Sequence, residues 1–477
     1  TWVFTMLTAD GKLWDNPAVG YQLRDRGMAL PYIDNTVRVF LGTQIGCAQC
    51  HDHPFDKWTQ KQFYELAALT SGTRDRDFSG KGGGMSSMMG MGMQAQAGNA
   101  KKLAKELNEA RKERKVPAST LQFLRLNTTS VNFKPTPLKL PHDYQYDNGA
   151  PNQKVDAAVL WGTIPEQYKD ADGRTQFAAW LTASDNRQFA RAIANRLWKK
   201  MFGVGVVEPV DDFQDGNIPA SESLLEHLTD EMLRLDFDLR EFIRIIASTE
   251  AWQSRAVIHE PTAAEPYLFT GPALKRMTAE QLWDSTLTLV ANNEWAFQRP
   301  SAEEVKKVAA VDLGTTQFDE FVTIWKKYNE ELGRGGYTKK IRSVAGYKDQ
   351  ILVRSSELPL QTLPLSHFLS QFGVGDRDSI QSSSEGATVP QVLTMFNGWT
   401  THTMLERGSV IYDNVAKQKT SKGAVDTIFL SILARRPTVT ELGLSRREIE
   451  TSAQSPAAGC GNLIWALLNT REFMFIQ

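Results

Sequence analysis

Apolar positions return along this chain mostly at helical spacing. From Asp34 the residues Val37, Phe40, Leu41 and Ile45 recur every three to four positions, which predicts a helix with Asp34 as its N-cap. That helix runs into Cys47-Ala48-Gln49-Cys50-His51, and Pro54 then forces an extended or turned chain. Thr59-Gln60-Lys61-Gln62 has the form of a capping box and opens a second helix through Phe63, Tyr64, Leu66 and Ala67. Two amphipathic helices are therefore expected to bracket the cysteine motif.

The pattern changes over residues 71–100, where glycine and methionine dominate and little remains to pack, so this stretch is read as a mobile loop. Residues 101–115 read as a charged helix whose alternating signs suit a solvated face. Residues 121–126 and 131–140 alternate or carry paired prolines and are read as short strands, the only place where sheet is expected. Beyond about residue 172 helix follows helix. Asp185 is placed to cap one through Ala190, Ile193, Ala194, Leu197, Trp198 and Met201, stopped by Gly203 and Gly205. Another follows Asp238 with Leu239, Phe242, Ile243 and Ile246 on one face, and similar patterns occupy 221–235, 278–290, 318–332, 389–397, 424–435 and 462–468. The fold class read from the chain is mainly α and multi-helical, with a small β-rich insertion around residues 120–146.

Composition narrows the function classes. The 477 residues are 41% hydrophobic, enough to bury real cores. With 54 Lys+Arg against 55 Asp+Glu there is no global field to draw nucleic acid or an anionic membrane, so no nucleic-acid partner is expected. No apolar run approaches the length of a membrane span. The chain enters at Thr1 inside what reads as an element, so an upstream part is expected to be missing. Oligomer formation is left open.

Three cysteines, two of them in one motif, do not make a disulfide framework. Cys460, between glycines, reads as a small residue at a helix start. Cys47-x-x-Cys50-His51 has the spacing needed to place two thiols at the two vinyl groups of one porphyrin and an imidazole at its iron. One covalent c-type haem is the reading, with zinc on Cys47, Cys50, His51 and His53, or a redox dithiol, as alternatives. His53 cannot easily pass round the ring to the other side of the iron. It is read as a partner of a haem propionate or backbone beside Phe55 and Trp58, or as a fixing residue for the turn before Pro54. The sixth ligand is open: His142 is one candidate, and Met85, Met88, Met89, Met91 and Met93 are others. His227, His259, His367 and His402 have no paired ligand in sequence and are read as structural. The acidic run from Glu208 through Asp211, Asp212, Asp215 and Asn217 offers oxygens to calcium but lacks an EF-hand loop, and an acidic turn capping the next helix is the preferred reading. No Ser-His-Asp signature, P-loop or dinucleotide fingerprint is present.

Residues 38–58, with Cys47, Cys50, His51, His53, Pro54, Phe55 and Asp56, resemble the planctomycete-type cytochrome c-like domain of unknown function. Residues 195–198, 205–213, 276–282, 368–373 and 469–474 are similar to the helical domain that usually follows it. The resemblance covers most of the chain outside 73–120. It implies an exported protein of planctomycetes and related bacteria, described as a cytochrome and without an established activity. It also implies that the upstream half of the first domain, with room for the sixth ligand, is absent. The Gly/Met-rich tract looks like a departure from the family. The organisation expected on this basis is the C-terminal half of a cytochrome c-like domain at 1–72, a Gly/Met-rich loop and charged helix at 73–116, a small β-rich connection at 117–170, and a helical domain at 171–477.

Three functions follow as expectations. The first is an exported monohaem cytochrome carrying single electrons to an unidentified redox partner, located in the periplasm or at the cell surface because haem is joined to thiols outside the bacterial cytoplasm. The second is a haem enzyme with an open iron position, acting on peroxide or a carbohydrate-derived substrate, suggested by the roughly 300 residues after the haem region. The third is a non-haem zinc-binding structural protein.

Overall fold

A computed structural model of the chain describes residues 2–78, 91–258, 267–347, 350–358, 363–374, 388–404 and 406–476. Among these the chain is mainly α-helical, and its strands form small sheets of two or three members. It divides into two compact units, one of Thr1–Ser254, Glu260–Pro272 and Ser301–Glu330, the other of Arg255–His259, Ala273–Pro300 and Glu331–Gln477. Among the described residues no helix is long and apolar enough to cross a membrane.

In the first unit the helix leading to the motif is Ala29–Leu41, not one that starts after Asp34. Pro31 falls in its first turn, where a missing amide costs nothing, and Asp34 lies inside the helix instead of capping it. Gly42 ends it at φ +58, so Ile45 belongs to the following turn. Ile33, Val37 and Leu41 bury into a core shared with Ile45, Ala48, Trp58, Phe63, Leu66, Phe177 and Trp180. The second bracketing helix, Gln60–Ala68, opens with the expected capping box: Thr59 Oγ1 accepts from the Gln62 amide at 3.2 Å, and Gln62 Oε1 accepts from the Thr59 amide at 3.0 Å.

Sheet in this unit is long-range. Strand β1 (Gly11–Lys12), β2 (Thr73–Arg76) and β3 (Ser130–Phe133) pair antiparallel in the order β1-β3-β2, with Val131 opposite both Gly11 and Asp75. Within 120–146 strand is thus confined to β3. Residues 121–126, expected as strand, lie in the helix Ser119–Thr128. Thr120, Phe123, Leu124 and Asn127 are its buried face, an i, i+3, i+4, i+7 set that a six-residue window hides. The charged helix spans Met91–Lys112, so the end of the stretch read as a mobile loop is helical, while 79–90, with Met85, Met88 and Met89, lie outside the described residues. Its side facing away from solvent buries Ala100, Leu103, Leu107 and Ala110 against Phe123, Leu124, Phe321 and Trp325.

The helix Arg187–Phe202 follows Asn186, not Asp185, because the Asn186 amide is drawn inward to the carbonyls of Trp180 and Leu181 at 3.1 and 3.2 Å. Gly203 closes it at φ +83, and the helix expected after Asp238 is Leu239–Ala247, with Asp238 as its cap.

The second unit packs Ala279–Val290, Ser421–Leu433, Val439–Thr451 and Pro456–Leu468 around Trp283, Leu287, Val425, Ile428, Phe429, Ile464 and Leu468. A two-stranded ladder joins Lys275–Arg276 to Phe475–Ile476. Arg435 ties two further elements together, reaching Glu441 at 2.8 Å and Glu472 at 2.5 Å.

Candidate functional site

Cys47 lies in the 3-10 turn Gly46–Gln49 and Cys50 ends it, its amide donating to the Cys47 carbonyl at 3.2 Å. Ala48 between them is fully buried beside Ile45, which pins the turn by its inner side and leaves both cysteines exposed. Neither is in a disulfide.

His51 follows on the same exposed surface. Its Nδ1 is 2.7 Å from the carbonyl oxygen of Asp52. A carbonyl only accepts, so Nδ1 donates, and in the neutral imidazole this leaves the lone pair on Nε2. The loop is fastened on its other side by Asp52, whose amide donates to the Tyr146 hydroxyl at 2.7 Å and whose Oδ1 accepts from the Gln60 amide at 2.8 Å. The buried Gln60 side chain returns to the Gln49 carbonyl at 3.1 Å.

His53 closes the turn around Pro54: its amide donates to the Trp58 carbonyl at 2.8 Å and its Nδ1 accepts from the Phe55 amide at 3.2 Å. Phe55, at the tip, is 82% exposed. Trp58 is buried against Trp161 at 5.9 Å, with the Lys57 ammonium 5.1 Å over its ring. Its indole nitrogen is buried and has no hydrogen-bond partner among the described residues. Burial pushes the Tyr64 phenol upward, and Cys50 and Asp143 nearby add to the shift. Burial also raises the Asp34 carboxyl, with Arg38 opposing.

His142 is brought into the neighbourhood only through its segment, since Tyr146 touches Asp52 while the His142 ring lies exposed, 3.9 Å from the Asp143 carboxylate. Among the described residues no group of three or more His, Cys, Asp or Glu side chains is placed to hold a metal ion. Two of the four side chains weighed for zinc, His51 and His53, turn Nδ1 to backbone. In the acidic run Asp211 pairs with Arg38 at 3.1 Å, Asp212 accepts from Gln214 and Asn217, and Asp215 lies exposed near Lys57. His367 caps a short helix, His227 and His402 are exposed, and His259 is outside the described residues. Cys460 sits half-buried within Pro456–Leu468, where burial raises its thiol.

The helix before the motif is held from behind by Arg187–Phe202. Gln188 donates to the Leu41 carbonyl at 2.7 Å, and Arg196 donates to the carbonyls of Arg38 and Val39, so the last turn of Ala29–Leu41 is satisfied by side chains. Asn195 in turn folds residues 205–207 back, accepting from the amides of Val206 and Val207 and donating to the Val207 carbonyl. Tyr146, Gln60 and Arg196 carry no local signal in sequence, because each acts across a long separation or through a side chain on an ordinary helical face. Asp34 had a signal, its polarity amid an apolar helical pattern, which also suits a cap.

Residues 22–75 match the family model described as PSCyt2, a protein of unknown function (DUF1549), and this match contains the whole cysteine motif. No curated protein and no solved structure matches the chain. Residues 173–448, more than half of the chain, match the model described as PSD1, protein of unknown function (DUF1553), and the chain belongs to that family.

Proposed function

We propose that this protein is an exported c-type cytochrome in which Cys47 and Cys50 anchor one haem, His51 binds its iron, and single electrons are passed to a redox partner. The observation that carries the reading is the arrangement of the three side chains: two uncombined thiols and one imidazole, all exposed, on a single turn whose inner side is locked by Ala48. The haem would supply a one-electron iron couple.

The chain's own groups suit that cofactor. The Asp52 carbonyl holds the proton of His51 on Nδ1 and leaves Nε2 as the nitrogen available to iron, the arrangement in which a second partner fixes the tautomer and orientation of a ligating histidine. The buried Trp58 indole is a donor lacking an acceptor, and a propionate is an acceptor of the kind it lacks. The exposed Phe55 supplies apolar surface beside the turn. Thioether attachment takes place outside the bacterial cytoplasm, which is why export belongs to the same proposal.

A pyridine haemochrome assay on protein exported from a host able to attach haem tests it. The expected result is one thioether-linked haem per chain, absent from the Cys47→Ala, Cys50→Ala double variant. Exported, folded protein without covalent haem would falsify the proposal, and stoichiometric zinc in that protein would replace it.

A further inference from the structure

Two Asn-Gly pairs occur in the chain, Asn148-Gly149 and Asn397-Gly398, and the fold treats them oppositely. Asn397 ends the helix Val389–Asn397, and the Gly398 amide donates to the Thr394 carbonyl at 2.8 Å, so its nitrogen is held by the helix. Asn148 is exposed in a turn, and among the described residues nothing accepts from the Gly149 amide. The turn itself is tied down, with the Asn152 amide donating to the Pro141 carbonyl at 3.3 Å and the Ala150 amide to Gln153 Oε1 at 2.8 Å. Asn148 Oδ1 accepts from the hydroxyl of the buried Tyr144, while its Nδ2 donates to nothing among the described residues. Burial, with Asp52 and Tyr146 nearby, holds the Tyr144 phenol above its ordinary pKa, so it stays a donor.

We propose that Asn148 is a site of spontaneous deamidation, in which the Gly149 nitrogen attacks the Asn148 side chain and Tyr144 stabilises the charge that forms. The Gly149 amide gives its proton to solvent hydroxide, and its nitrogen, with no side chain beside it, bonds to Asn148 Cγ. Negative charge gathers on Oδ1, where the Tyr144 hydrogen bond is worth more than it is to a neutral amide oxygen. Collapse breaks the Cγ–Nδ2 bond, and Nδ2 takes a proton from water and leaves as ammonia. Water then opens the five-membered succinimide at either carbonyl, leaving aspartate or isoaspartate. In sum one water enters and one ammonia leaves, with no change of oxidation state. Isoaspartate adds a methylene to the main chain beside Gly149, where a Cβ would already come 2.7 Å from Leu140 Cδ1. Tyr146 on the same segment accepts from the Asp52 amide, so the change falls on a brace of the cysteine loop. The inference does not depend on haem.

Peptide mapping by mass spectrometry tests it on the full chain, incubated folded at mildly alkaline pH in heavy-oxygen water. The expected result is amide-to-acid conversion at Asn148 while Asn397 stays an amide, with aspartate and isoaspartate both formed and each carrying the heavy oxygen. In urea the two sites should convert at similar rates, because the contrast belongs to the fold. Tyr144→Phe should slow conversion at Asn148 about fivefold, the effect of one net hydrogen bond on a rate. Asn148→Gln, whose attack would need a six-membered ring, should leave this peptide unconverted. Circular dichroism and the melting temperature verify that each variant is folded. An Asn148 that stays an amide, equal conversion of the two sites in the folded chain, or aspartate without isoaspartate overturns the proposal. So does a folded Tyr144→Phe variant that converts at the wild-type rate or faster.

Discussion

The carboxylate of Asp34 fills the space a side chain on Gly46 would need: a Cβ there would lie 2.7 Å from one of its oxygens and 2.9 Å from the other. The residue before Cys47 is thus glycine because of a partner twelve positions upstream. Gly46→Ala should destabilise the protein by about 1–3 kcal/mol through overpacking. Asp34→Ala in the same background should recover most of that, since it removes the obstructing, poorly solvated carboxylate. Urea unfolding of the two single variants and the double variant checks this, and strictly additive effects would disprove the contact.

Tyr146→Phe removes the acceptor of the Asp52 amide and should cost about 1 kcal/mol. Hydrogen exchange should quicken at the Asp52 amide, while an unchanged rate there would show that Tyr146 does not hold the loop.

Asn195 is fully buried and engages Val206 and Val207 with both ends of its amide. Asn195→Ala should cost about 3 kcal/mol by leaving those backbone groups without partners. Asn195→Asp should also destabilise, because a carboxylate cannot donate to the Val207 carbonyl. Thermal unfolding reads both, and a neutral Asn195→Ala would contradict the assignment.

Burial lowers the pKa of His367 from 6.5 to about 4. The unfolded chain then binds a proton that the folded one refuses between those values, so this group's stability contribution is complete above pH 6.5 and lost as pH falls toward 4. The loss should be on the order of 2 kcal/mol. His367→Asn keeps a cap for the Leu369 amide and should flatten the pH dependence of denaturant unfolding in that window. A variant with the wild-type slope would assign the titration elsewhere.

Glu441 shows the complementary carboxylate case. Its pKa is lowered from 4.5 to about 2, first by the Arg435 side chain and then by the Thr438 backbone. Its contribution is present above pH 4.5 and disappears as pH drops toward 2. Replacing it by Gln should make stability less sensitive to acid over that range, as followed by circular dichroism. Equal sensitivity in the two proteins would show that Arg435 is not its partner.

Much of the architecture was legible where the signal is local. The Thr59 capping box, the helices that begin at or just after Ser221, Asp238 and Thr278, and the stop at Gly203 depend on residues three or four apart, and each stands where the spacing puts it. Misreadings occurred where a distant partner decides. Residues 121–126 are helical because Phe123 and Leu124 pack on Phe321, and β3 is strand because segments near residues 11 and 75 lie beside it. At the candidate site the positions of Cys47, Cys50 and His51 follow from their spacing. The Tyr146, Gln60 and Arg196 contacts that brace them come from elsewhere in the chain and had no pattern to betray them.

The turn that leaves Cys47 and Cys50 side by side and open to solvent has a kinetic consequence. Closing the pair passes two electrons and two protons to an oxidant such as another disulfide; once one sulfur is held as a mixed disulfide, the neighbouring thiolate expels the leaving thiol within the same turn, a step that dilution does not slow. A chain oxidised first has no thiol left to add to a vinyl group. Under the cytochrome proposal, the order in which oxidant and porphyrin reach this turn decides the product, and maturation in an oxidising compartment requires an electron donor that reopens the pair before the haem arrives.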